Sequence, residues 1–306
     1  MKKIKKVLLF THEKYQNNAD IQKLIQFLKR RKIGYELVGK KPIVKHNNFN
    51  AIIKFLIKES LKIKNPIIFD VGANVGQSIE RFSSVFKSEE FKIYSFEPTP
   101  KLFQILKNKY DLKKNIKLFQ LALDDKIIKS KFFSYEYDQI NSLIQTDENS
   151  KFHKSRQIAV KNRDFSNFKT EIEVQTSTID NIADEQNIDK IDVLKIDTQG
   201  NEDRVLEGSK KLLNSNKINL IELELILGFG YQRQMSFLDI EKILSPYGYR
   251  LIGIDSASNI ISFSNYQVNL IYVNSELFDK IKHLHYENKE IKDITKRTDV
   301  SNPFSY

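Results

Sequence analysis

The 306-residue chain contains no cysteine. Disulfides, thiolate metal sites and cysteine nucleophiles are thereby excluded, and so is a small disulfide-stapled secreted scaffold. The compartment expected is the cytoplasm. Long hydrophobic runs are missing as well: a spanning helix needs about 18 consecutive apolar residues, and no stretch approaches that length. The opening MKKIKKVLLFTHEK carries the charge of a signal peptide, but its apolar run stops after Val7, Leu8, Leu9 and Phe10, short of an h-region, and is read as a strand. There are no internal repeats and no low-complexity tract. Positive charge is present in excess, +11 formally, which raises the question of nucleic acid or an anionic membrane surface. Lysine, isoleucine and asparagine are abundant everywhere and the lysines are scattered, so the charge is read as compositional and nucleic acid is not the expected partner. With 40% hydrophobic residues, one large α/β core with small additions is the default.

Between residues 66 and 273 apolar runs alternate with amphipathic stretches, the pattern of βα units around a mostly parallel sheet. Seven strands are expected: IIFDVG (67–72), KIYSFEP (92–98), IKLFQLAL (116–123), DVLKID (192–197), NLIELEL (219–225), YRLIGI (249–254) and QVNLIYV (267–273). The last two flank DSASN, too short for a crossover helix, and should form an antiparallel hairpin. Helices are expected from Val75, Ile79, Phe82 and Val85, and over PKLFQILKNKY, EDRVLEGSKKLLNS and SFLDIEKILSPYGY, the last capped by Ser236 and ended by Pro246 and Gly248. Residues 1–62 form an N-terminal extension with one strand, a helix from near Asp20 and a second carrying Ile52, Ile53, Leu56 and Ile57. Asn65-Pro66 marks its end. The main domain is 63–274, with a polar, aromatic-rich insertion at 126–178 that can cap a substrate, and 275–306 is a charged helix and tail.

IIFDVGANVGQ runs from a strand into a helix through Gly72 and Gly76, a geometry that presents free backbone N–H groups at a strand's carboxyl end. Glu97 closes the next strand, 27 residues after Asp70, where a carboxylate accepts hydrogen bonds from ribose hydroxyls. A dinucleotide fingerprint requires a middle glycine for the pyrophosphate, and that position is Asn74. Asp70, two residues before the first glycine, suits a cation better than a phosphate. S-adenosylmethionine has the ribose and the cation without a phosphate. Ala122 and Leu123 supply apolar neighbours for an adenine, and Asp124 or Asp125 an acceptor for its amine; an ordinary turn explains the aspartates as well.

FDVGANVGQ, FEPTP, LALDD, TSTID and VLKIDTQGNEDRVLEG, in that order, resemble the FkbM family of S-adenosylmethionine-dependent methyltransferases. The resemblance implies a Rossmann-like class I methyltransferase fold, sheet order 3-2-1-4-5-7-6 with strand 7 antiparallel and helices on both faces, and O-methylation of a hydroxyl on a sugar, glycan or other small molecule. It places Asp70, Gly72, Asn74 and Gly76 by the methionine part of the cofactor, Glu97 on the ribose and Ala122 with Asp124 near the adenine, with Ala73, Gln77, Ser78 and Pro98 beside them.

In KIDTQGNE, Asp197 ends the fourth strand and should face the crevice. Lys195 is a charge inside an apolar strand and needs a partner, Asp70 or Glu222. Alignment of the reactants is worth ~7–11 kcal/mol, and proton removal by Asp197 or Glu202 about 10²–10⁴ in rate; Asp197 equally suits a purely positioning role. His153 in the insertion is an alternative base, and His12, His46, His283 and His285 lie outside the core. Asp197, Glu222 and Glu224 do not make an evident metal set without a histidine, and metal dependence stays open. Phe132, Phe133, Tyr135 and Tyr137 suit stacking on a sugar ring or a small accessory core, and Tyr231, Arg233 and Gln234 should reach the crevice. The rival functions are an RNA methyltransferase, for which DTQG lacks the usual Pro-Pro-aromatic motif, and a nucleotide-binding module without catalysis.

Overall fold

The computed structural model describes residues 6–10, 34–38, 48–86, 91–135, 140–150, 169–227, 230–233, 235–256 and 267–282. The chain divides into two compact units, residues 1–48 and 49–306. In the first, β1 (Lys6–Phe10) pairs in parallel with β2 (Gly34–Val38) over five residues. The expected helix from Asp20 lies outside the described residues, as do all five histidines, Tyr137 and Gln234.

The second unit is built on a seven-stranded sheet. In chain order its strands are β3 (Ile67–Val71), β4 (Lys92–Phe96), β5 (Ile116–Phe119), β9 (Ile191–Ile196), β10 (Ile218–Ile226), β11 (Arg250–Ser256) and β12 (Gln267–Val273). They lie side by side as β5-β4-β3-β9-β10-β12-β11. Counted within this sheet alone, that is 3-2-1-4-5-7-6. The first five pair in parallel, and β12 runs antiparallel to both β10 and β11. This is the Rossmann-like methyltransferase architecture expected from the sequence.

All six residues of β9 are buried, as a central parallel strand covered on both faces requires. Alternate side chains enter different cores. Leu194 and Ile196 join Phe69, Val71, Ile221 and Leu223 on one face, under α4 (Ile179–Glu185), α5 (Glu202–Glu207), α6 (Lys210–Asn214) and α7 (Phe237–Leu244). Val193 joins Ile68, Ile93, Leu220 and Ile271 on the other. That face is covered by α2 (Gln77–Phe86), α3 (Pro100–Tyr110), α8 (Ser275–Lys282) and α1 (Asn48–Lys54), which continues as a π-helical turn through Ser60. Ile53, Leu56 and Ile57 of this segment are fully or almost fully buried.

Two expected elements are broken. IKLFQLAL is not one strand: β5 ends at Phe119, whose carbonyl accepts from Glu97 N, and β6 (Ala122–Leu123) pairs in parallel with β8 (Thr170–Ser177). β8 also pairs antiparallel with β7 (Lys129–Ser134), so the insertion forms a three-stranded sheet of its own. EDRVLEGSKKLLNS is two helices, the first ending at Gly208, which packs on Asp124: a Cβ there would stand 2.2 Å from the Asp124 carbonyl oxygen. Ser236 caps α7 in a reciprocal capping box with Asp239.

Candidate active site

The carboxyl ends of β3, β4, β9 and β10, joined by the start of β12, open onto one cavity of ≈ 290 Å³. It sits where connections from β3 and β9 diverge to opposite sides, the place where open α/β sheets bind ligands. One end is apolar, with Phe96, Leu102, Leu121, Ala122, Leu123 and Phe132. The other carries Lys195, Asp197, Gln199, Glu224 and Gln267.

Between them lies the glycine loop. Gly72 and Ala73 donate to Phe96 O at 3.1 and 3.0 Å, which anchors the loop on β4. Gly72 has φ +78, and a Cβ on it would stand 1.9 Å from Asp197 O; one on Gly76, φ +96, would meet the Tyr110 ring at 2.7 Å. Both glycines are therefore demanded by the packing of this chain on itself. Asn74 is left-handed at φ +48, a conformation asparagine tolerates. Its backbone N–H donates to Glu97 Oε2 at 3.0 Å.

Glu97 is buried. Its other oxygen accepts from Thr99 N at 2.9 Å and from the Thr99 hydroxyl. Burial is the largest influence on this carboxyl and, against the Thr99 and Asn74 hydrogen bonds, pushes it up to about 7. With Pro98, Ala73, Asn74, Gln77 and Ser78 it lines the cavity.

Asp70 and Lys195 face each other in register across β3 and β9. The carboxylate is fully buried and its Oδ1 lies 3.3 Å from Lys195 Nζ. The amine donates to Gly72 O at 3.0 Å and lies 3.6 Å from Asp197 Oδ2. Burial alone would discharge it, but Asp70 and then Asp197 hold its pKa above the ordinary lysine value. Glu222, the other expected partner, is taken by Arg81 in a bidentate pair of 2.8 and 2.9 Å.

Of the sequence-derived site residues, Gly72, Ala73, Asn74, Gln77, Ser78, Glu97, Pro98, Ala122, Lys195 and Asp197 come together on this wall. Asp70, Gly76, Asp124 and Glu202 lie behind it. Asp124 is buried and accepts from Asn201 Nδ2 at 3.2 Å. Glu202 is turned into its own loop, accepting from Thr198 N at 3.0 Å and from Gly200 N at 3.1 and 3.0 Å. Burial pushes it, too, up to about 7. Tyr231 backs the wall, its hydroxyl donating to Gln199 Oε1 at 3.1 Å. Arg233 is committed to Asp203 and Asn201. Phe132 reaches the cavity at its apolar end, whereas Tyr135 is buried against Thr146.

Glu224, Gln267, Leu102 and Asn141 also line the cavity. Glu224 carried a signal, an acidic residue near the end of an apolar strand; Gln267, at the start of β12, and Asn141, in the insertion, carried none. Among the described residues no group of three or more acidic, histidine or cysteine side chains is placed to hold a metal ion, and no helix is long and apolar enough to cross a membrane.

A doubly wound sheet with a cavity at its switch point, walled by a glycine loop, a strand-end glutamate and a second acidic wall, defines a Rossmann-like fold of the methyltransferase type. The family model described as the methyltransferase FkbM domain matches residues 70–251, and the chain belongs to that family. It is 26% identical over 164 residues to 2-O-methyltransferase NoeI of Sinorhizobium fredii, covering 51% of this chain and 63% of that one, less than two thirds of the relative's length. Among solved structures, methyltransferase FkbM from Methylobacillus flagellatus is 13% identical with a TM-score of 0.43, over 87% of this chain and 73% of that one. Aeropyrum pernix fibrillarin in complex with S-adenosyl-L-methionine is 13% identical with a TM-score of 0.37, over 74% and 73%.

Two outcomes follow from the buried charges. Lys195→Met leaves Asp70 uncompensated and should cost about 3–5 kcal/mol in denaturant unfolding, with much of it recovered in the Asp70→Asn, Lys195→Met double variant. Glu97 and Glu202 have folded-state pKa values raised above the ordinary 4.5, so the protonated forms are favoured by folding. Their stabilisation is complete below about pH 4.5 and is lost as pH climbs through about 7, at up to ~1.4 kcal/mol per pH unit for each group. Thermal melts of the ligand-free protein should fall across that window, and Glu202→Gln should flatten the fall; stability rising there would contradict it.

Proposed function

We propose that this chain transfers a methyl group from S-adenosylmethionine to a hydroxyl oxygen of a sugar, a glycan or another small molecule. The observation that carries the reading is Glu97. It lines the cavity at the end of β4, fixed by Asn74 and Thr99, with apolar surface for a base on one side and an acidic wall for a cation on the other. That sequence of environments matches adenine, ribose and a positively charged methionine portion. The 2-O-methyltransferase named above favours oxygen as the methylated atom.

The bound cofactor would supply an electrophilic methyl on a positively charged sulfur. The chain's part is to bind and align. Leu102, Leu121 and Ala122 offer the apolar contact for a base, and Glu97 accepts ribose hydrogen bonds. Lys195, pinned by Asp70, holds Asp197 in place. Gln267, Asn141 and Gln199 offer polar groups where an acceptor would enter. The inserted sheet carries Phe132 into the apolar end, so in this reading residues 126–178 serve the cofactor as well as capping the acceptor.

Calorimetry with S-adenosylmethionine and with NAD tests this directly. Binding of the first and not the second is expected, and Glu97→Gln should weaken it on the order of 10- to 100-fold, the loss of charged hydrogen bonds. Unchanged affinity in that variant would make the ribose assignment wrong.

A further inference from the structure

Glu224 lies near the end of β10, separated from β3 by β9 and so set away from Gly72 and Glu97. Both of its carboxylate oxygens are engaged by amides. Gln199 Nε2 donates to Oε2 at 2.7 Å, and Gln267 Nε2 donates to Oε1 at 2.8 Å. The same Gln199 nitrogen donates to Asp197 Oδ1 at 2.8 Å. One amide thus joins two acidic side chains on the cavity wall.

That amide is held deliberately. The Tyr231 hydroxyl occupies Gln199 Oε1, which turns the nitrogen toward the two acids. Gln199 sits at φ +58, a conformation that is uncommon without glycine and persists only where its surroundings enforce it. Glu202 enforces it by accepting from the backbone amides on either side, Thr198 and Gly200. The charged groups facing Glu224 are Asp197 and Lys195 from the β9 end and Glu202 from α5, while β12 presents the neutral Gln267. Burial first, then the charges of Asp197 and Glu202, push Glu224 up, against the Gln199 hydrogen bond and Lys195, so that its protonated form is favoured relative to an ordinary glutamate. An added positive charge within a few ångströms favours the ionised acid and reverses that balance.

We propose that Glu224 is the proton-exchanging residue of this site: it gives up its proton when a sulfonium cofactor binds beside Asp197, and takes one from the acceptor hydroxyl as the methyl moves. The inference rests on the cofactor reading above. The step balances. Glu224, as carboxylate, receives the hydroxyl proton; the acceptor oxygen forms its bond to the methyl carbon; the S–CH3 bond breaks with its electron pair left on sulfur. A cation and an anion become a neutral thioether and a neutral acid, so the product state carries no stranded charge in a low-dielectric cavity.

Calorimetry of the full chain at pH 7 in phosphate and in Tris, whose ionisation enthalpies differ, counts the protons exchanged on binding. S-adenosylmethionine should release roughly half a proton or more, fading above about pH 8 as Glu224 is already ionised. S-adenosylhomocysteine, neutral at sulfur, should release measurably less, because any ionisation of Glu97 at the ribose is common to both ligands; the difference is the proton that the reaction returns. In Glu224→Gln that difference should disappear. Equal release with both ligands, or a difference that survives Glu224→Gln, overturns the proposal. The comparison of the two ligands on the unmodified protein decides the matter even where the variant folds poorly. Absence of any S-adenosylmethionine binding overturns the cofactor reading itself, a result distinct from binding without proton release.

Discussion

Everything at the carboxyl edge of the sheet hangs on one buried cation. Lys195 stands opposite Asp70 in the register of two central strands, in the part of the molecule where an uncompensated charge is most expensive. Its amine donates to the carbonyl oxygens of Val71 and Gly72 and pairs with both Asp70 and Asp197. It therefore ties the end of β3 to the end of β9 where their connections part. At the same level across the sheet, Glu222 lies in register with Lys195 and is clasped by Arg81 of α2. A row of ion pairs thus lies across three central strands, of which Lys195 and Asp197 reach the cavity wall. Asp197 O is held so close to Gly72 that no side chain fits there.

The sheet was legible in the sequence because its information is local. Short β-branched runs between turn residues, such as DVLKID with its single lysine, read as buried strands, and PKLFQILKNKY matches α3 residue for residue. The errors came where a tertiary contact overrode a local pattern. Ala122 and Leu123 continue the apolar run of β5 but pair with β8, from some fifty residues later in the chain. Gly208 sits inside a helical pattern and ends its first helix, and Asp124 O packs where a side chain would stand.

The candidate site divides along the same line. Glu97, Asn74, Lys195 and Asp197 announce themselves as polar residues at strand ends, and they do meet at one cavity. Orientation was not legible. Glu202 follows Asp197 closely and has the right chemistry, yet its carboxylate is consumed by the amides of its own loop. Glu224, in a strand read mainly for its apolar face, reaches the cavity. The glycine loop needed reinterpretation as well. Its glycines serve self-packing, and the backbone N–H of residue 74, which a glycine there would offer equally, fixes Glu97, while the Asn74 side chain accepts from Val75 N at 2.7 Å.

The distribution of acid along the cavity then acquires a physical logic. Asp70 is neutralised from below by Lys195, and Glu222 from the side by Arg81. Glu224 has amides in place of a cation against its oxygens, with Asp197 and Glu202 opposing its charge. Burial and those like charges raise its proton affinity while the amide hydrogen bonds and Lys195 lower it. The acids paired with Lys195 and Arg81 have their charge answered within the chain, whereas on Glu224 the opposing influences are more evenly set, so an added charge in the cavity bears most directly on it.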